Sequence, residues 1–103
     1  MASQNPKFEV GGLIGFVIQH QRVEVRIDNI SYDRVVNNQR TVDLQGAVLI
    51  SFRLEWKTDY RREKTWDQGQ WIEIRLNISP QGTFIEFPFT QHEWIPTPQF
   101  RLE

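Results

Sequence analysis

A chain of 103 residues with 39% hydrophobic and 13% aromatic residues is long enough for one packed core and too short for two. Its 12 Lys and Arg against 13 Asp and Glu leave a formal net charge of −1, which argues against a dedicated nucleic-acid binder, because neutralising several phosphates takes a basic excess. Cysteine is absent, so disulfide staples, thiol catalysis and Cys-based zinc sites are excluded together.

In the first segment, Phe8, Val10, Ile14, Phe16 and Ile18 share the even positions, with Gly11, Gly12 and Gly15 as places for a bend or bulge. The preceding Met-Ala-Ser-Gln-Asn-Pro-Lys lacks the basic start and apolar run of a signal peptide. The most apolar window, Leu13 to Ile18, falls far short of the ~20 residues of a membrane span. With the missing cysteines, these features predict a cytoplasmic protein. In the second segment, Val23, Val25 and Ile27 alternate with Glu24, Arg26 and Asp28. The apolar parity changes between Ile18 and Val23, which requires a turn or bulge near His20-Gln21-Arg22. Asn37-Asn38, between Val35-Val36 and Thr41-Val42, reads as a tight hairpin turn, since Asn tolerates positive φ.

The longest alternation follows. Val42, Leu44, Val48, Ile50, Phe52, Leu54, Trp56 and Tyr60 fall on one face, interrupted by Gly46 and Thr58. Thr41, Asp43, Gln45, Ser51, Arg53, Glu55, Lys57 and Asp59 fall on the other. A helix cannot sort residues this way. At ~3.3 Å per residue a straight Val42–Tyr60 strand extends about 60 Å, against about 35 Å for a compact domain of this size. The segment therefore bends, with Gly46 as the expected place, or projects as an arm.

The polar run from Arg61 to Gln70 reads as a loop or frayed hairpin end. The fourth strand directs Ile72, Ile74, Leu76 and Ile78 inward and Trp71, Glu73, Arg75 and Asn77 outward. The alternating charges Arg53, Glu55, Lys57 and Asp59 are expected to pair across strands with Glu73 and Arg75. Ser79-Pro80-Gln81-Gly82 is a turn, with proline at the second position and glycine at the fourth. The fifth strand, Thr83 to Phe89, has Ile85, Phe87 and Phe89 on one face, and Pro88 requires an edge or an unpaired position. Beyond it Pro96 and Pro98 favour an extended tail from about residue 90 to 103, with Trp94, Phe100 and Leu102 available for packing.

These elements predict a single all-β domain spanning residues 1–103. The expected architecture is an antiparallel meander of about five to six long strands, with little or no helix. It either curls into a small barrel or packs as a sandwich.

No catalytic constellation emerges. The two histidines, His20 and His92, are far apart, and His92-Glu93 lacks the second histidine of the helical zinc motif. Asp67-Gln68-Gly69-Gln70 lacks the alternating ligands of a calcium loop. There is no Gly-x-Ser-x-Gly elbow, and Gly11-Gly12-Leu13-Ile14-Gly15 lacks the helix that gives phosphate loops their physics. No catalytic residue, metal or cofactor is assigned. The candidate binding residues are Tyr60, Arg61, Arg62, Lys64 and Trp66, which mix basic groups with aromatics, together with the off-core Trp71 and Trp94. The leading expectation is a non-catalytic module that self-associates as a homo-oligomer or docks onto another protein. A small barrel holding a lipid or saccharide against Phe16, Phe52, Trp56 and Phe87 is the alternative. A single-stranded nucleic-acid binder working through the 60–66 loop comes third.

Overall fold

The computed structural model describes residues 7–57, 61–88, 94–97 and 100–102, the last two stretches and residues 56, 57, 61 and 88 as backbone only. Nine strands follow one another: β1 (Leu13–Ile18), β2 (Gln21–Val36), β3 (Gln39–Val48), β4 (Phe52–Lys57), β5 (Arg61–Trp66), β6 (Trp71–Ser79), β7 (Gly82–Pro88), β8 (Trp94–Thr97) and β9 (Phe100–Leu102). All pairings are antiparallel. The larger sheet runs β8-β7-β6-β3-β2-β1-β9, and β4-β5 form a separate hairpin inserted between β3 and β6. The all-β meander expected from the alternation is the fold.

The five strands β1, β2, β3, β6 and β7 curl into a half-barrel. Its curvature shows in the order itself. β8 and β9 sit at opposite ends of the sheet, yet only Pro98 and Gln99 separate them in the chain. Four consecutive Cα atoms span at most about 11 Å, so the two sheet edges must approach one another. Every second residue lines the concave side: Ile14, Phe16 and Ile18; Val23, Val25 and Ile27; Val42, Leu44 and Val48; Ile72, Ile74, Leu76 and Ile78; Ile85 and Phe87, all buried. The β4–β5 hairpin adds Phe52, Leu54 and Trp66 to the same core. Ring centroids lie 4.9 Å apart for Phe52–Trp66, 5.5 Å for Trp66–Phe87 and 6.1 Å for Phe16–Phe87. The aromatics thus join the hairpin to strands from both sides of the sheet.

The long alternation breaks, but not at Gly46. The Leu49 N–H still donates to the Glu24 carbonyl at 2.9 Å; the chain then bends at Leu49 and Ile50 and leaves the sheet. Ile50, expected in the core, is consequently exposed. Gly46 stays in the ladder between Ile27 and Ile72. β2 carries register shifts at Ile27/Asn29 and Ile30/Tyr32, and at the first of them the Arg26 carbonyl oxygen occupies the space of a Gly46 Cβ. These irregularities let the 16-residue β2 curve within a molecule 36 Å along its longest axis. Because the strand breaks, Arg53 and Glu55 do not face Glu73 and Arg75: Arg75 bonds Asp43 instead, and Arg53 pairs with Glu55 and Glu63 within its hairpin.

The other turns follow the residues. Asn37 and Asn38 both have positive φ (53° and 64°), as the hairpin requires. The β1–β2 turn sits at Gln19 and His20 (φ 49° and 63°), one residue earlier than the parity argument placed it. Val10 is exposed rather than core, since Gly11 at φ 90° turns the chain before β1 begins. Pro88 ends β7 beyond the last β6 pair, Arg75↔Glu86, so its missing N–H costs no bond to that neighbour. The C-terminal stretch supplies β8 against β7 and β9 against β1. Tyr60, Phe89 and His92 lie outside the described residues.

Candidate interaction surface

Of the polar run expected as a loop or frayed hairpin end, Arg61–Trp66 is strand β5, paired from Phe52↔Trp66 to Lys57↔Arg61, and Asp67–Gln70 is the turn that follows. The pairing puts Trp66 on the core side of the hairpin beside Phe52, where its ring is 2% exposed and out of reach of a stacked base. Lys64, two residues earlier on the same side, lays its ammonium 5.2 Å from the Trp66 ring centroid. Sequence reasoning took the segment for a loop because Arg62 and Lys64 hold the positions where alternation would show apolar residues. Inward-facing charged stems are a usual device on edge strands. Arg61 lies at the start of β5 as backbone only, and Trp94 is placed opposite Pro88 by its backbone. Trp66 and Trp71 do not converge: Trp66 points into the core and Trp71 to solvent.

The β4 strand is held to the barrel by two side chains acting as a strand. Gln19 donates from Nε2 to the Glu55 carbonyl at 3.0 Å and accepts the Glu55 N–H on Oε1 at 3.1 Å. Gln21 makes the same pair of bonds with the Arg53 carbonyl and N–H. Each amide offers one donor and one acceptor, as a backbone unit does. Phe16, Phe52 and Phe87, three of the rings expected to line a ligand cavity, pack with one another and with Trp66 in the core, and the fourth, Trp56, is described as backbone only.

On the convex face the register assembles rows across strands. Leu13↔Arg26, Arg26↔Ala47 and Ala47↔Trp71 form one row over β1, β2, β3 and β6. Trp71 is 57% and Leu13 64% exposed in it. Arg26 is held sideways by Asp28, with both guanidinium bonds at 2.8 and 3.2 Å. Farther along the same face, Tyr32, Asp43, Arg75 and Glu86 form a second row. Arg75 donates twice to Asp43, at 2.8 and 3.2 Å, and these bonds push its guanidinium pKa above the ordinary value. With Thr41 and Asn77 these groups line a depression of about 410 Å³ that is open rather than enclosed.

Past the end of β1, the second half of β2 continues as an arm along β3, which keeps β6 as its other neighbour up to Arg40↔Ile78, so only the Val36–Gln39 turn extends beyond the sheet. Residues 31–39 are all exposed, including Tyr32, Val35 and Val36. The base of the arm is fixed by Arg40, which donates to both Asp33 oxygens at 2.8 Å. The Arg40 guanidinium also lies 5.4 Å from the Phe8 ring centroid. The hydrogen bonds from Arg40 hold the Asp33 carboxyl below its ordinary pKa, against the opposing effect of partial burial.

Comparison of the chain with protein-family models, with curated proteins and with solved structures finds no significant match in any of the three.

Proposed function

We propose that the protein is a non-catalytic interaction module that docks onto a partner protein through the convex-face row Leu13–Arg26–Ala47–Trp71. The observation that carries this reading is the 57% exposure of Trp71 on a sheet face whose other positions along β6 are Glu73, Arg75 and Asn77. Tryptophan on a solvated face has a cost in exposed apolar area, and it is concentrated at the energetic centres of protein contacts. Ala47 beside it is small, so a partner can reach the flat of the indole, and Leu13 supplies a second apolar anchor across the row. The Arg26–Asp28 pair keeps the intervening charge neutralised.

The test is affinity capture with the wild-type chain and Trp71→Ser from cells that produce the protein. A specific partner is expected with wild type and at least tenfold less of it with Trp71→Ser, the thermal midpoint being unchanged. Equal recovery with both would overturn the reading.

A further inference from the structure

We infer that the arm formed by the end of β2 pairs edge to edge with the same arm of a second copy of this chain, building a two-fold antiparallel dimer. This is independent of the Trp71 row, which crosses the sheet at Arg26 and Ala47, at the other end of the β2–β3 ladder from the Asn37–Asn38 turn.

The argument starts from backbone accounting. β1 accompanies β2 only to Ile27, where the Gly11 N–H donates to the Ile27 carbonyl (2.8 Å) and the Ile27 N–H to the Gly12 carbonyl (2.9 Å). From Asn29 to Val36, β2 has β3 on one side and, among the described residues, no strand on the other. Which groups are left over follows from the turn. A two-residue hairpin makes its flanking residues, Val36 and Gln39, a hydrogen-bonded pair, and such pairs alternate along an antiparallel ladder. Arg34↔Thr41 and Tyr32↔Asp43 are therefore bonded pairs, whereas Val35↔Arg40 and Asp33↔Val42 are not. The N–H and C=O of Asp33 and Val35 point away from the sheet, off the arm's free edge.

Exposed strand edges of this length are normally blunted by charge, proline or cover. This one carries Tyr32 at 41%, Val35 at 65% and Val36 at 59% exposure, with charge confined to the adjacent Asp33 and Arg34. Both faces of β2 are exposed from Ser31 to Val36, and with no strand described on its outer side two such edges can lie side by side. Asn29–Asn38 contains one acid, Asp33, and one base, Arg34, so the segment carries no net formal charge, and the like-charge contact in the pairing is Arg34 against Arg34. A two-fold axis through Arg34 sets Asp33 of each copy against Val35 of the other and satisfies the outward N–H and C=O of both residues on each arm. It also puts Tyr32 opposite Val36 of the second copy, an aromatic–aliphatic pair. The two Arg34 residues meet at the axis, in solvent, each with its guanidinium drawn to its own Tyr32 ring at 6.0 Å.

Sedimentation equilibrium from about 1 μM to about 1 mM covers the range for so small a contact. The weight-average mass is expected to rise from 12.3 kDa towards twice that value. Val35→Pro removes an N–H that, among the described residues, has no strand opposite it and is expected to weaken association at least tenfold. Val36→Lys, which leaves the arm's backbone untouched, should do the same by replacing the partner of Tyr32, whereas Trp71→Ser should leave the dimer intact. Amide exchange at Asp33 and Val35 should slow with rising wild-type concentration and not in either arm variant. A monomer at every concentration, or a dimer indifferent to both arm variants, would overturn the inference.

Discussion

At the scale of single residues, the sequence is most informative where parity alone decides the outcome. Trp71 is readable as outward-facing because its neighbours Ile72, Ile74 and Leu76 occupy the opposite parity, and it is exposed. Trp66 is not readable in this way, because its burial depends on Phe52 arriving opposite it from a strand that has left the main sheet. Gly46 lies between these cases. Its lack of a side chain suggested a bend, whereas its role is to admit the Arg26 carbonyl at the first irregularity of β2. The nearest atoms to an added Cβ are backbone, which cannot swing aside. Gly46→Ala is therefore expected to destabilise the fold by about 3 kcal/mol in urea unfolding, the upper part of the usual range for overpacking. A loss below about 1 kcal/mol would show that the neighbouring backbone relaxes.

At the scale of elements, the strands with one apolar and one polar face were legible, and β6 matches its expected pattern position by position. β5 escaped detection because charged stems fill its inward positions. The arm escaped because strand length is written in pairing rather than in hydrophobicity. Asn29 to Val36 is exposed on both faces towards its tip, so no burial pattern marks it as strand, and only Asn37-Asn38 announces the hairpin. The arm's base has a pH dependence of definite sign. The folded-state pKa of Asp33 is lowered by the Arg40 hydrogen bonds, so the pair stabilises the fold above the unfolded aspartate value of about 3.9. That contribution is lost as pH falls through the lower folded value. Wild type is expected to exceed Asp33→Asn in stability by up to about 1 kcal/mol at pH 6, a figure kept small by solvent screening, since Asp33 is 36% exposed. The difference should shrink towards zero near pH 2, as followed by thermal denaturation. A difference constant across this range would show that the ion pair does not act on the arm.

At the scale of the whole molecule, the choice between barrel and sandwich was illegible because it depends on distant segments. The curl requires β4–β5 to fold back across the concave side, where Trp66, Phe52 and Phe87 meet, and it requires Gln19 and Gln21 to replace the missing neighbour of β4. No local pattern announces either event. The same holds for the tail, whose prolines suggested an extended segment but whose short strands pair with β7 and β1.

The two-residue link between β8 and β9 also determines how far association can proceed. The proposed two-fold contact closes on itself after two copies, because an isologous interface uses the same arm of both. The edges of β7 and β1 differ from one another, so if both were uncovered, one copy's β7 could accept the next copy's β1 without limit. β8 and β9 cover both edges together, and their short connection means that neither is readily lost alone. A chain cut after residue 93 is thus expected to sediment as a broad, growing series of species rather than as a discrete pair. In the proposed dimer the last two strands would keep assembly finite.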